Sequence, residues 1–211
     1  MPSHVSDAVI RRLPGYYRHL RELEQAGVTQ ISSQELGERM SLTASQIRQD
    51  INCFGGFGRK GYGYNVSALK DHIAEILGLD KPHHMIIVGA GSIGQAVARY
   101  PSFVRSGFQT DAIFDVNPAV IGKDLGGIAV QDAAGLEAYV QSHPVDIAVL
   151  AVPAVAAQEM LNRLSALGID ALWNFAPTDL EHPKNMMVVN VHLSDSLQIL
   201  SYRMAHREEN I

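Results

Sequence analysis

The sequence contains a single cysteine and no long apolar run. One thiol, Cys53, excludes an intrachain disulfide framework and is typical of a reducing cytoplasm. No apolar stretch approaches the roughly 20 residues that a membrane-spanning helix needs, and residues 1–12 lack the apolar core of a secretory signal. The nine histidines show no zinc-type spacing. We therefore expect a cytoplasmic protein without a membrane segment or a bound metal.

The chain also lacks the strong basic excess of many nucleic-acid-binding proteins. Residues 1–78 carry 9 Lys/Arg and 8 Asp/Glu, a net charge of +1, and residues 79–211 carry 8 and 14, a net charge of −6. With 211 residues, 46% hydrophobic and 18% charged, the composition is that of a globular chain with room for two small domains. A nucleic-acid interpretation must therefore rest on where the basic side chains lie.

The first 27 residues predict one amphipathic helix. In "VSDAVIRRLPGYYRHLRELEQAG" the apolar residues recur at helical spacing up to Gly27, which is expected to stop the helix. Pro14 is expected near a helix start or at a kink.

Two short helices follow, and each is announced by a capping box. Ser32 with Glu35, and Thr43 with Gln46, pair a hydroxyl at the N-cap with an acid or amide three residues later. The segment "GERMSL" separates them as a tight turn. Two capped helices joined in this way predict a helix-turn-helix.

The second of these helices, "TASQIRQDINCFG", carries the candidate DNA contacts. Burial of Ile47 and Ile51 turns polar side chains outward, where they can reach base edges and phosphates in a major groove. The glycine-rich "GGFGRKGYGYNV" then predicts a basic hairpin, the wing of a winged helix, closed by the helix "SALKDHIAEILGL". The predicted DNA-binding residues are Arg12, Ser45, Gln46, Arg48, Gln49, Arg59 and Lys60. The alternative is a solvated hairpin beside ordinary capped helices.

A second motif, "MIIVGAGSIGQAVA", predicts a strand, a glycine turn and a helix. Gly89 allows the tight turn, Gly91 lets the backbone approach a pyrophosphate, and Gly94 lets helix and strand pack closely. Asp115 ends the next strand, 21 residues past Gly94, where an acid would bind ribose hydroxyls and repel a 2′-phosphate. The motif therefore favours NAD(H) over NADP(H), and the alternative is a nucleotide-free Rossmann-like domain.

Further apolar strands in "DIAVLAVP", "ALWNFAP" and "MMVVNV" alternate with helices, which predicts a parallel sheet covered on both faces. Ligands bind such sheets beyond the carboxyl ends of the strands. The predicted cofactor-binding residues are Gly89, Ala90, Gly91, Ser92, Ile93, Gly94, Asp115, Val116, Asn117, Ala151, Val152, Pro153, Asn174, Phe175, Ala176 and Pro177. No dehydrogenase acid/base set accompanies them, so we expect binding and not turnover.

These patterns predict an α/β chain in three parts. Residues 1–80 form a winged helix-turn-helix, residues 81–192 a Rossmann-like parallel-sheet domain, and residues 193–211 a C-terminal helix. Two other functions remain open: a small NAD-dependent oxidoreductase, and a nucleotide-binding module of the CoA-binding type.

Several motifs, taken in order, carry a family resemblance. They are "RLPGYYRHL", "SSQELGE", "IRQDINCFGGFGRKGYGYNV", "VGAGSIG", "YPSF", "FDVNP", "AVPAVAAQ", "NFAP" and "VNVHLSDSLQ". Over essentially its whole length the chain resembles the Rex family of redox-sensing transcriptional repressors. The resemblance implies a homodimer with swapped C-terminal helices, which represses fermentation and respiratory genes from a palindromic operator when NAD⁺ is plentiful. It also implies that NADH binds more tightly and releases the DNA.

The resemblance further implies a switch, in which a helix-1 arginine and a tyrosine exchange partnership with one acid. Arg18 and Tyr100 match the first two, but His192 stands where the acid of "VNVD" is expected, and Asp195 is one helical turn away. A charged histidine near Arg18 would be repelled, so we expect a switch sensitive to pH. Gln49 replaces one of the family's two basic residues after the isoleucine, which predicts weaker phosphate contact or altered site preference.

Overall fold

The computed structural model describes residues 5–55 and 63–207. Backbone contacts divide the chain into two compact units, Met1–Lys81 and Pro82–Ile211, each with its own apolar core. Within the described ranges, no helix combines the length and hydropathy needed to cross a bilayer. The same ranges contain no group of three or more His, Cys, Asp and Glu side chains placed to hold a metal ion.

Within residues 5–55 and 63–81, the first unit contains four helices and a two-stranded antiparallel sheet. In chain order its elements are α1 (Asp7–Gln25), β1 (Gln30–Ile31), α2 (Ser33–Met40), α3 (Ala44–Asn52), β2 (Tyr64–Asn65) and α4 (Val66–Ile76). All four helices contribute buried side chains to one core. This architecture agrees with the predicted helix-turn-helix and its closing helix.

Helix α1 runs through Pro14, so the proline does not mark a helix start, the first of its two expected positions. A kink at Pro14, the second expectation, stays a prediction. Val9 and Leu13 before Pro14 and Tyr16 and Leu20 after it are all buried, so a single apolar face continues past the proline. Pro14 itself is exposed, and burial of that face stabilises the helix although one N–H is missing. Gly27, at φ +76°, follows the helix end as expected.

Local hydrogen bonds begin α2 and α3 and close the turn between them. Ser32 and Glu35 form the complete capping box, and the Thr43 hydroxyl accepts a bond from the Gln46 N–H at 3.1 Å. The Leu42 N–H donates to the Gly37 carbonyl at 2.9 Å, and a Cβ at Gly37 would lie 2.5 Å from the Leu42 oxygen. The two helices can approach this closely only because position 37 has no side chain.

The second unit is a six-stranded parallel sheet with helices on both faces. Its elements are β3 (His83–Val88), α5 (Ser92–Ala98), α6 (Pro101–Arg105), β4 (Phe108–Asp115), β5 (Val130–Asp132), α7 (Leu136–Ser142), β6 (Ile147–Leu150), α8 (Ala154–Ala166), β7 (Ala171–Asn174), β8 (Met187–Asn190) and α9 (Leu193–Ala205). Alternate strand residues enter two separate cores, one shared with α7 and α8 and the other with α5 and Phe103 of α6. The predicted parallel sheet is confirmed.

The strand order is β5-β4-β3-β6-β7-β8. Counted from β3 as the first strand, this is the order 3-2-1-4-5-6 of the Rossmann fold. The order reverses between β3 and β6, and the crevice outside their carboxyl ends is where such sheets bind ligands. Strand β5 was not predicted; it is a three-residue strand at one sheet edge with only Val130 buried, so its sequence has no apolar run.

Candidate DNA-binding and nucleotide-binding sites

The predicted recognition helix, α3, presents one polar face to solvent. Ile47 and Ile51 are buried, while Ser45, Arg48 and Gln49 are exposed. Because these three residues are spaced at i, i+3 and i+4, they lie side by side on the helix surface. Gln46 is half-buried, and its side chain interacts with Asp50 on the inner side of the helix.

Arg48 donates a hydrogen bond to a neutral side chain. Its Nη1 donates to the Ser33 hydroxyl at the start of α2, at 3.1 Å, and Arg48 is exposed while Ser33 is half-buried. A neutral hydroxyl orients the guanidinium without neutralising its charge. Arg48 therefore keeps the charge and the free donors that a guanine edge or a phosphate would accept.

Behind this face lies a carboxylate that the sequence interpretation did not identify. Asp50, on the inner side of α3, is only 2% exposed. Its two oxygens accept a bidentate pair of bonds from Arg12 Nε and Nη2, at 2.7 and 2.8 Å, and a third from the Tyr16 hydroxyl at 2.7 Å. The only sequence signal was an aspartate between two isoleucines on the buried face of a helix.

The electrostatics of Asp50 follow from this arrangement. Burial by itself would raise the pKa of Asp50, but hydrogen bonds from Arg12 and Tyr16, together with the Arg12 charge, outweigh it and lower the pKa. Burial and the bond to Asp50 raise the pKa of Tyr16. Asp50 is thus a buried anion whose charge Arg12 compensates. Contact of Arg12 with DNA stays a prediction. In the structure, the guanidinium of Arg12 binds the Asp50 carboxylate.

Arg59 and Lys60, the predicted wing tip, lie outside the described residues. The base of the wing is described: β2 pairs antiparallel with β1, with Ile31 opposite Tyr64. A Cβ at Gly63 would lie 2.5 Å from the Ile31 oxygen, so the returning chain passes directly against β1. The wing therefore ends beside Ser32, the N-cap of α2.

In the second unit, the three glycines of the turn have three different environments. Gly89 has φ +103°, and a Cβ there would collide with the Ala151 carbonyl. A Cβ at Gly94 would collide with the Gly89 carbonyl, whereas one at Gly91 would meet nothing within 4 Å. Gly91 caps α5 without a side-chain bond, so the first N–H groups of the helix remain available to an anion. The turn fits a pyrophosphate.

Asp115 lies beside this turn. Its Oδ2 accepts a hydrogen bond from the Ala90 N–H at 2.6 Å, and its Oδ1 accepts one from the Asn117 N–H at 2.8 Å. These bonds place the carboxylate at the end of β4, next to the glycine turn. This is the position that an acid needs to contact a ribose bound there.

The other predicted cofactor residues meet at the same sheet edge. Val88 is paired with Phe114 on one side and Leu150 on the other, and Leu150 is paired with Asn174. The four strand ends are therefore level. The residues that follow them, 89–94, 115–117, 151–153 and 175–177, therefore come at the same edge of the sheet.

Asn174 is fully buried, and its side chain is saturated with hydrogen bonds inside the protein. Its Oδ1 accepts from the Ala176 N–H, and its Nδ2 donates to the Thr178 carbonyl and to Asn190 Oδ1. Its direct contact with a cofactor remains a prediction. What the bonds do is hold the "NFAP" turn at the end of β7.

The predicted switch residues fall in both units: Arg18 is exposed on α1, and Tyr100 and His192 belong to the second unit. Tyr100, the N-cap of α6, is joined to Phe175 by a row of ring contacts through Phe103 and Trp173, with centroid distances of 4.7, 5.5 and 4.5 Å. The row connects the "YPSF" segment to the "NFAP" turn, which the motifs alone did not indicate.

His192 has an acidic partner that the sequence interpretation missed. Its Nε2 lies 3.1 Å from Asp179 Oδ1, and the same oxygen accepts a bond from Asn190 Nδ2 at 3.0 Å. A carboxylate is therefore present beside position 192, although it comes from the loop before β8. Asp195, which the sequence places one helical turn from His192, lies in the first turn of α9.

Comparison with known proteins agrees with both units. Residues 4–52 match a family model described as "Putative DNA-binding protein N-terminus", and residues 80–178 match one described as "CoA binding domain". A redox-sensing transcriptional repressor Rex from Clostridioides difficile (strain 630) is 51% identical over 201 residues, which cover 95% of this chain and 96% of that protein.

Solved structures agree as well. A crystal structure of RSP in complex with beta-NAD⁺ and operator DNA is 50% identical, with a TM-score of 0.91, and the match covers 98% of this chain and 95% of that one. RSP in complex with beta-NADH is 48% identical, with a TM-score of 0.89, covering 98% and 97%. The chain therefore belongs to the Rex family of redox-sensing transcriptional repressors.

Proposed function

We propose that this protein represses transcription by binding a palindromic operator as a homodimer, and that it leaves the operator when NADH replaces NAD⁺. One observation carries the proposal. A single chain joins the exposed face of α3 to a glycine turn at the switch point of a Rossmann sheet, and RSP with both NAD⁺ and operator DNA matches 98% of it.

We assign separate DNA and dinucleotide contacts to the two sites. Ser45, Arg48 and Gln49 would contact base edges and phosphates in the major groove. Gly91 and the first N–H groups of α5 would hold the pyrophosphate, Asp115 the adenosine ribose, and the ends of β6 and β7 the nicotinamide. Asp115 would also repel a 2′-phosphate, which excludes NADPH as an effector.

The coupling between the sites must be a shift between two conformations. NADH can change DNA affinity only if it binds one conformation more tightly than the other. Couplings of this kind typically amount to about 1–3 kcal/mol, or roughly a 5- to 150-fold change in affinity. Arg18, Tyr100 and the His192–Asp179 pair are the proposed groups whose contacts differ between the two conformations.

Helix α9 supports a homodimer. Leu193, Leu197, Leu200 and Met204 are all at least 53% exposed and recur along one side of the helix, and no residue of α9 is buried. An isolated helix of 13 residues with its apolar stripe in water is marginal. A second copy of this chain would cover the stripe, and Leu197→Asp should then convert a dimer to a monomer in sedimentation velocity.

We infer that the cofactor site binds without turnover in a cytoplasmic regulator. The chain contains neither the Ser-x-x-x-Tyr-x-x-x-Lys run of short-chain dehydrogenases nor a Cys/His cluster with metal-ligand spacing. The "CoA binding domain" match makes CoA the ligand to test against NADH.

A mobility-shift titration tests the whole proposal. Operator duplexes selected by the protein from a random pool would be retained with NAD⁺ and released by NADH, and NADPH and CoA would have no effect. Equal retention with and without NADH would contradict redox sensing. Release by CoA alone would instead favour a CoA-type module.

A further inference from the structure

We propose that Asp50 is a positioning residue of the DNA-binding site. By holding Arg12 and Tyr16 of α1, it sets the rotation of α3 about its axis, and so the direction in which Ser45 and Arg48 face. The inference rests on the proposed DNA binding and adds a determinant of operator specificity that does not itself touch DNA.

The placement of Asp50 within α3 supports this role. Asp50 is on the buried face with Ile47 and Ile51, and Ser45 and Arg48 are exposed on the opposite face. Apolar contacts are non-directional, so the two isoleucines alone leave the helix free to rotate by small angles. A bidentate guanidinium–carboxylate pair fixes both distance and angle, because two parallel bonds must form together.

The pair also links two parts of the unit. Helix α1 packs mainly along α4, and α3 packs mainly along α2. Arg12 and Tyr16 are one helical turn apart on α1, and both bind the single Asp50 carboxylate. Arg18, the proposed switch residue, lies on the same helix. A displacement of α1 is therefore transmitted to α3 through this carboxylate.

Positioning can be separated from stability. Replacing a buried ion pair by apolar residues of similar volume is often neutral or stabilising. The triple variant Arg12→Met, Tyr16→Phe, Asp50→Leu removes both charges and the hydroxyl at once, so neither the carboxylate, the guanidinium nor the phenol is left unpaired. Because Arg12 and Asp50 leave together, the net charge is unchanged. A matched control is Asp7→Asn with Arg11→Met, an ion pair on the same helix whose side chains are 75% and 79% exposed.

The measurement is the ratio of affinities for the selected operator and for a scrambled duplex of equal length, with thermal denaturation of each variant. We expect the triple variant to melt close to the wild type and to lose discrimination by about tenfold, since a displaced base contact costs that much or more. The control pair should keep the wild-type ratio. The single variant Tyr16→Phe, which keeps both charges, should lose discrimination by a smaller factor.

The outcomes are distinct. An unchanged ratio in Tyr16→Phe would overturn the inference while leaving the proposed function intact, even if the triple variant loses discrimination, because the triple variant also removes the predicted DNA contact of Arg12. If the triple variant does not fold, Tyr16→Phe decides: a reduced ratio supports positioning, and a wild-type ratio refutes it. A wild-type protein with no preference for any duplex would overturn the proposed function, and the inference with it.

Discussion

Replacing Gly91 by alanine should separate nucleotide binding from folding. Gly91 has φ −69° and ψ −171°, a backbone conformation open to alanine, and an added Cβ would meet no atom within 4 Å. The added methyl group would stand where a pyrophosphate approaches the start of α5. Gly91→Ala should therefore leave folding nearly unchanged and weaken binding of the nucleotide.

The magnitudes can be worked out for each effect. Alanine restricts the unfolded chain and so stabilises the fold by about 0.4–1 kcal/mol, whereas it is a weaker N-cap than glycine by an amount of similar size. These contributions offset each other, so the unfolding free energy should change by less than about 1 kcal/mol. Loss of one hydrogen bond to a charged phosphate oxygen costs about 1.5–3 kcal/mol. NADH affinity should fall about 10- to 150-fold.

Isothermal titration with NADH, beside thermal denaturation, checks both parts. Gly94→Ala is the contrasting variant: its Cβ would collide with the Gly89 carbonyl, so it should lose folding stability as well as binding. An NADH affinity in Gly91→Ala equal to that of the wild type would refute the assignment of this turn to a pyrophosphate.

Three further predictions concern other parts of the chain. Gly37→Ala should destabilise the protein by about 1–3 kcal/mol in urea unfolding, because its Cβ would lie 2.5 Å from the Leu42 oxygen. Since the pKa of Asp50 is lower in the folded state, the stability that it contributes is full above the ordinary carboxyl pKa of about 3.9 and is lost as pH falls below it. Asp50→Asn should lack this component in urea titrations between neutral and acid pH. His192→Asp should sharpen the release of DNA by NADH in a mobility-shift assay. The effect should be largest in combination with Asp179→Asn, because the new carboxylate would otherwise face Asp179. An unchanged response both with and without Asp179→Asn would mean that position 192 is not part of the switch.

Local signals account for what the sequence predicted well. The Ser32 capping box, the Gly27 stop and the glycine turn at 89–94 each depend on residues within one or two helical turns, so spacing alone reveals them. The alternation of wholly apolar strands with helices likewise predicted the parallel sheet, because parallel strands buried on both faces are apolar throughout. Strand β5 escaped because it pairs through only three residues at a sheet edge.

The features that were missed come from contacts between distant residues. Arg12 and Asp50 are 38 positions apart, and each is an ordinary helical residue in its own segment. Pro14 is not at a helix start for a related reason, since the apolar face on both sides of the proline packs into a core that local preference does not include. Asp179 lies in a loop without a motif. Its role as a partner of Asn190 follows from the pairing of β7 with β8, which the sequence does not show.

The hydrogen bonds at the ends of β7 and β8 bear on how a cofactor could reach α9. Asn174 binds Asn190, Asn190 binds Asp179, and Asp179 lies against His192, the N-cap of α9. Asn174 also holds the "NFAP" turn, so three consecutive polar contacts connect that turn to the N-cap of the helix. The helix carries the exposed apolar stripe that we assign to the dimer contact. At position 192, where the family resemblance predicts an acid, this chain therefore has a histidine paired with Asp179, and the bonds through Asn190 connect that pair to Asn174 at the end of β7.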